Sequence, residues 1–274
     1  MSSSATGKRS AFRKLHERGC FVIPNPWDVG SAKMLAGMGF KALATTSSGF
    51  AWSQGRADTT VPREVVLAHM RAIAGATDLP VNADFEGGYA PDAMGVAESV
   101  RMAVDTGVAG LSIEDSTGDA ENPLRPLDEA VARIRAARAA IDETGTNTML
   151  VGRAENFIAN RPDINDTVRR LRAYSEAGAD CLYAPGIKTR EHIIAVVTAV
   201  APKPVNLLVG WQSEFTLKDA EAMGVRRISV GGALARAAWG GFMRAAKLMA
   251  DEGRFDGLAG AMSGKELDGF FGSR

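Results

Sequence analysis

Short apolar runs rich in β-branched residues alternate along this chain with longer stretches whose apolar residues recur at helical spacing. The runs predict strands and the longer stretches predict helices. The first half reads as helix Ser10–Arg18, strand Cys20–Pro24 and a helix that Asp28 could cap. Strand Lys41–Thr46 then ends in SSGF, followed by helix Pro62–Gly75, strand Leu79–Ala83, helix Met94–Thr106, strand Ala109–Glu114 and helix Leu127–Glu143. The second half repeats the cadence with strands Thr148–Gly152, Asp180–Ala184, Pro204–Val209 and Arg227–Val230. Their helices are Ile164–Ala177, Thr189–Val200, Thr216–Met223 and Ala233–Asp251. Glycines in AGMGFKA, DTGVAG, EAGADC and EAMGVRR stand where a helix must stop before the next strand.

Eight strand-helix units predict an α/β fold, a (β/α)₈ TIM barrel over about 20–250 in one domain. The remaining 251–274 form a helical tail that could be exchanged between subunits. A doubly wound sheet shares the alternation, but no G-x-G-x-x-G follows the first strand and the count of eight favours closure. Leu267, Phe270 and Phe271 are poorly suited to a solvated terminus, so the tail is expected to dock on the barrel or on a partner subunit. A homo-oligomer, dimer or tetramer, is the expected assembly.

Charge narrows the range of partners. Lys+Arg and Asp+Glu both number 32 in 274 residues, so no global field favours nucleic acid or an anionic membrane. The charged run RPLDEAVARIRAARAAIDE has the spacing of a solvated helix face. The polar start MSSSATGKRS leads into no apolar segment of signal or membrane-spanning length, which predicts a soluble, cytoplasmic protein. Cys20 and Cys181 are too few for a disulfide framework. The three histidines, His16, His69 and His192, fall in helices away from the strand ends, where packing is the expected role.

The chemistry gathers at the strand ends. LPVNADFEGGYA places Asp84 and Glu86 after the third strand, and LSIEDS places Glu114 and Asp115 after the fourth. Acids at neighbouring strand ends suit a hard cation such as Mg²⁺ or Mn²⁺, which takes oxygen ligands and keeps several waters. The same mouth should collect Trp27, Ser47, Ser48, Gly49, Asp58, Asn82, Arg153, Tyr183 and Asn206. Gly231 and Gly232 follow the last strand, where close backbone packing is a safer reading than phosphate binding.

In order and spacing, PNPWDVGSA, TTSSGFAWSQGRAD, NADFEGGYA, SIEDS, GRAENF, AGADCLYAPG, PVNLL and RRISVGGALARAA resemble the isocitrate lyase and phosphoenolpyruvate mutase superfamily from Phe21 to about Met249. The resemblance implies a Mg²⁺-dependent enzyme making or breaking a carbon-carbon or phosphorus-carbon bond beside a 2-oxo acid, through an enolate-like species. It puts the metal carboxylates on Asp84 and Glu114, with Asp58 and Asn82 as outer or water-mediated partners; Glu86, in a loop longer than the family's, could make up for the charge lost at Asn82. It gives Ser47, Ser48 and Gly49 to the substrate carboxylate, and Arg153 to the substrate's charged end. Trp27, Tyr183 and Asn206 are then expected to line the pocket.

Two departures refine that picture. Many relatives carry two aspartates around the third strand end, where this chain has Asn82 and Asp84. The lyases' Lys-Lys-Cys-Gly loop is replaced by STGDAENPLRPL, which has no cysteine, and the mutases' Lys-Thr-Asn core leaves only Asn122 as a counterpart. Decarboxylation of an oxaloacetate-like acid needs little beyond enolate stabilisation, so the leading expectation is a lyase or decarboxylase of a small 2-oxo or 2-hydroxy di- or tricarboxylate. A phosphonomutase and a catalytically silent, carboxylate-binding barrel are the alternatives.

Overall fold

The computed structural model describes residues 4–272. Eight parallel strands form the barrel: β1 (Phe21–Ile23), β2 (Leu43–Ala44), β3 (Val81–Asp84), β4 (Gly110–Glu114), β5 (Met149–Arg153), β6 (Cys181–Tyr183), β7 (Val205–Leu208) and β8 (Arg227–Ser229). Each strand pairs with its successor from β2 to β8, and β8 pairs back with β1. The remaining seam, between β1 and β2, is closed by the Ala44 N–H donating to Pro24 O at 3.0 Å, and by Asn25 Nδ2 donating to Thr45 O at 2.9 Å. This is the expected α/β architecture of a (β/α)₈ barrel.

The helices are α1 (Ala5–Leu15), α2 (Val29–Gly37), α3 (Ser47–Ser53), α4 (Arg63–Ala76), α5 (Ala93–Val104), α6 (Leu127–Glu143), α7 (Ile164–Glu176), α8 (Arg190–Val200), α9 (Leu217–Ala222), α10 (Ala233–Glu252) and α11 (Gly264–Gly272). Their apolar faces and the outer faces of the strands bury Leu111, Ile113, Ile134, Leu150, Leu182 and Val205 in one shell. A second, smaller cluster of Phe12, Ile23, Ala44, Met149, Val151 and Cys181 fills the lower barrel interior.

Two segments differ from expectation. Thr46 does not end a long strand: its hydroxyl accepts the Gly49 N–H at 3.3 Å and starts α3, so β2 has two residues and SSGF is helical. The first helix begins earlier than Ser10, with Ser4 capping it, and lies across the bottom of the barrel. There Lys8 Nζ donates to Ala74 O and Thr77 O at 2.7 and 2.6 Å, and Arg9 reaches Val104 O and Val108 O at 2.8 and 3.1 Å. Arg13 pairs with Asp180 at 3.2 Å. Lys8 and Arg9 thus meet carbonyls at and just beyond the ends of α4 and α5, where the helix dipole favours positive charge.

α10 stands apart from the other barrel helices. It buries only Ala235 and leaves Trp239, Phe242, Met243 and Met249 exposed. Gly253, at φ +63°, ends it in the left-handed conformation. In the tail, Leu267 and Phe270 are half-buried, while the Phe271 ring approaches Gly30 at the start of α2.

Candidate active site

The strand register sets the mouth. Glu114 pairs with Arg153, Arg153 with Tyr183 and Tyr183 with Asn206, so four neighbouring strands present these residues side by side. On β3 the period of two puts Asn82 and Asp84 on the same inner face, one above the other.

Arg153 is the hub. Its Nη1 lies 3.1 Å from Asp84 Oδ1 and 3.0 Å from Glu114 Oε2, and its Nε and Nη2 fork onto Glu155. Burial works against the guanidinium charge, but Glu114, Glu155 and Asp84 outweigh it and hold its pKa well above the usual value. The fork expected to meet a substrate is therefore engaged by three carboxylates. The Tyr183 ring packs 5.3 Å from the Arg153 guanidinium carbon, and burial pushes the Tyr183 hydroxyl up to about 12.

The surplus of negative charge shows in the acids. Burial raises Glu114 well above its ordinary pKa against the pull of Arg153, and raises Glu155 against the same pull. Glu86 is pushed up to about 7 by desolvation, which the Tyr89 hydrogen bond only partly offsets. Asp58, on the rim, is raised by desolvation and then by Asp84. Five carboxyl groups thus surround one guanidinium, and that donor set fits a divalent cation. Among the described residues no group of three or more His, Cys, Asp or Glu side chains is arranged to hold an ion by itself. Asp84 and Glu114, which share one nitrogen, are the pair that could hold one together with water, as Mg²⁺ prefers.

Local backbone fixes these groups. Asp84 Oδ2 accepts the Ser47 N–H at 3.0 Å, and the Asp84 N–H donates to Thr45 Oγ1 at 2.9 Å. Glu86 has a left-handed φ of +45°, and its carbonyl accepts the Glu114 N–H at 3.0 Å. Its carboxylate accepts from Tyr89 Oη at 2.6 Å, and Tyr89 itself has φ +52°. Two non-glycine residues in this sparsely populated region within one loop mark a strained segment at the mouth.

Several sequence expectations are redistributed. The Ser47 and Gly49 N–H groups are engaged by Asp84 and Thr46, so they are not open donors for a substrate. Gly49 is instead a packing requirement: a Cβ there would lie 2.7 Å from Thr46 Cγ2 and 3.1 Å from Trp27 Cβ. Trp27 therefore backs α3 and is not among the residues lining the mouth cavity, whereas Ser47, Ser48, Asp58 and Asp84 are. Asn82 points down the barrel axis, its Oδ1 lying 3.4 Å from Arg227 Nη1. Asn122 is exposed and lines a different cavity, between the loops before α6 and α7. Asp115 turns away from the mouth and accepts from the Glu155 N–H, Arg170 and Tyr174 at 2.8, 3.0 and 2.6 Å. Asn25 Oδ1 takes the Val230 and Gly231 N–H groups at 2.9 Å each, which leaves the glycine turn to packing rather than phosphate.

Asn25, Thr45, Ser112, Arg227 and Ser229 also line the cavity, and the sequence reading did not single them out. Their signal was a polar residue two positions before another inward one, as in Ser112 and Glu114.

A family model for phosphoenolpyruvate phosphomutase matches residues 12–250. The chain belongs to that family. Its barrel superposes on a Burkholderia cenocepacia J2315 protein of provisional lyase/mutase designation with a TM-score of 0.95, at 45% identity over 98% of this chain and 97% of the other. A 2,3-dimethylmalate lyase, itself a member of the PEP mutase/isocitrate lyase superfamily, superposes with a TM-score of 0.85 at 28% identity, covering 100% and 96% of the two chains. An oxaloacetate decarboxylase of Paraburkholderia xenovorans is 30% identical over 232 residues, 81% of this chain and 75% of that protein. Within the phosphomutase family, then, this chain stands with enzymes of the carbon-carbon lyase type.

Proposed function

We propose that this protein is a Mg²⁺-dependent lyase that decarboxylates a small 2-oxo dicarboxylate, oxaloacetate first, with 2-hydroxy and larger carboxylates as the related candidates. The observation that carries this reading is the meeting of Asp84 and Glu114 on one Arg153 nitrogen, inside a mouth with more buried carboxylate than cation. The 30% identical oxaloacetate decarboxylase supports the choice of substrate.

Asp84 and Glu114 would hold the divalent ion, which when bound supplies charge stabilisation for the oxygen of a forming enolate. Those two carboxylates would then no longer occupy Arg153 Nη1, leaving it as a charge-assisted donor to the substrate. The Ser47 and Ser48 hydroxyls and Asn206 orient the acid. In decarboxylation the bond to the carboxylate next to the methylene breaks, its electron pair enters the enolate, CO₂ leaves, and a proton returns to carbon. Tyr183, whose ring packs on Arg153 and whose hydroxyl is kept protonated by burial, would return that proton. Purified protein with Mg²⁺ or Mn²⁺ should consume oxaloacetate well above the metal-only rate. No excess rate with oxaloacetate or with malate-type acids would overturn the reading.

The assembly is proposed to be a homo-oligomer in which α10 and the tail pack on a second copy, since Phe242 is 60% and Phe255 69% exposed on that surface. Light scattering should give a dimer or tetramer, and Phe242→Glu should shift it toward monomer. No helix among the described residues is long and apolar enough to cross a membrane, and a cytoplasmic location is proposed on the same terms as before.

A further inference from the structure

Below the acidic mouth, the cavity ends on a polar layer, which lies above the apolar cluster of Phe12, Ile23, Met149 and Val151 in the lower barrel. Barrel interiors are ordinarily filled with branched apolar residues. Here a space of about 160 Å³ runs between Ser48, Asp84 and Arg153 above and Asn82, Asn206, Ser229 and Arg227 below.

Arg227 is 3% exposed. Its Nε donates to Asn206 Oδ1 at 2.8 Å, its Nη1 reaches Asn82 Oδ1 and His16 Nε2 at 3.4 Å, and its carbon lies 5.9 Å from the Phe12 ring. Two of these partners are amide oxygens, one is an imidazole and one is a ring face. His16 carries no charge to share, because burial, and then Arg227 itself, lower its pKa to about 3. Every other deeply buried arginine in the barrel has a carboxylate or several backbone carbonyls: Arg153 has three acids, Arg170 has Asp115 and Asp166, and Arg133 has Glu129 with Gly87, Ala90 and Pro91 carbonyls. Among the described residues Arg227 makes no salt bridge. A buried charge without a counter-charge costs several kcal/mol unless something compensates it, and this one borders a cavity.

We propose that Arg227, with Asn82, Asn206 and Ser229, forms a carboxylate-binding floor inside the barrel. The amides are ready to turn their N–H groups: Asn206 Nδ2 already donates to Ser229 Oγ at 2.9 Å, and Asn82 Nδ2 to Ala83 O at 3.1 Å. An aspartate at position 82 would neutralise the guanidinium internally, and Asn82 keeps it available. The inference deepens the reading above, on which it rests for the substrate's identity. A floor that accepts one carboxylate beneath a mouth that holds a 2-oxo acid selects acids with a second carboxylate over simple 2-oxo monocarboxylates.

The test is made first on metal-free protein, where it does not depend on turnover. Acetate and malonate should raise the melting temperature of the wild type, and Arg227→Met should remove that rise while retaining the barrel's circular dichroism. Arg227→Lys, which keeps the charge, serves where the Met variant fails to fold, and it should retain the rise with affinity about tenfold weaker for want of the guanidinium fork. Chloride is the comparison anion. Malonate exceeding chloride supports the carboxylate floor; chloride equal to malonate overturns the carboxylate assignment in favour of a general halide site. No shift in the wild type, or an equal shift in Arg227→Met, overturns the proposal entirely. With oxaloacetate as substrate, Arg227→Lys should raise KM about tenfold with little change in kcat, and malonate inhibition should weaken in step. Loss of oxaloacetate turnover in the wild type would sink the decarboxylase reading and leave the metal-free measurement standing.

Discussion

The two ends of this barrel are built from opposite charges. At the floor, Lys8, Arg9 and Arg13 of α1 clamp carbonyls and Asp180 from below, and Arg227 lies just above them. At the mouth, Asp58, Asp84, Glu86, Glu114 and Glu155 crowd around Arg153. Lys8 and Arg9 are satisfied by main chain and Arg13 by Asp180 and main chain, so the charge of α1 stabilises the fold. Asp58, Glu86, Glu114 and Glu155 are raised in pKa chiefly by desolvation in a mouth with too little positive charge, a state that costs stability and suits a cation or substrate. Stability thus rests on the α1 cations below the barrel, and function on the cavity above them, in keeping with the general rule for barrels.

The sharpest way to break this contrast is at Asp84. Asp84→Ala should lower turnover on oxaloacetate by a factor of about 10³ or more, from the loss of metal-assisted charge stabilisation. Its melting temperature should stay level or rise, because one of the crowded acids is gone. Steady-state kinetics beside a thermal melt read both sides of the claim. A comparable loss of stability would mean that the mouth is structural after all.

Arg9→Ala is the mirror experiment. Two buried carbonyl partners lose a charged donor, at a cost of about 2 kcal/mol or more. For a chain of this size that is a drop of several degrees in melting temperature. The value of kcat should be unchanged.

Acid and base should attack opposite ends. Glu86, pushed up to about 7, keeps a proton in the folded state that the unfolded chain loses near 4.5, so its contribution is complete below about 4.5 and lost as pH rises to about 7. His16, lowered to about 3, stays neutral in the fold while the unfolded residue protonates below about 6.5. Its contribution is therefore present above about 6.5 and lost as pH falls towards 3. Denaturant titrations of metal-free protein should show the upper limb flattened by Glu86→Gln and unaffected by changes at the floor. Mg²⁺ should flatten the same limb.

The smallest effect is expected at Asn122. It lies on an exposed loop in a separate cavity, with its carbonyl accepting from Thr117 Oγ1 at 2.6 Å. Asn122→Ala should change kcat/KM by less than about twofold, as for surface positions generally. A larger loss would show that the loop before α6 folds over the mouth during turnover.

Periodicity along the chain was enough for the eight strand-helix units, because an inward strand face and an amphipathic helix each leave a local trace in residue order. It was also enough for the helix-ending glycines and for the acids at the third and fourth strand ends. It placed α6 at Leu127–Glu143, where the charged outer face and the buried Ile134 and Ile141 alternate plainly. What lay beyond it depended on contacts between residues far apart in sequence. The sharing of Arg153 by Asp84, Glu114 and Glu155 spans residues 84–155. The turning of Asp115 toward Arg170 and Tyr174 rests on the outer helix layer. The placing of Arg227 beside Asn82 and His16 joins positions up to 211 residues apart. Local order reveals which face a residue takes, but only the closed barrel decides which charges meet, because electrostatic energy depends on distance and burial rather than on position in the chain.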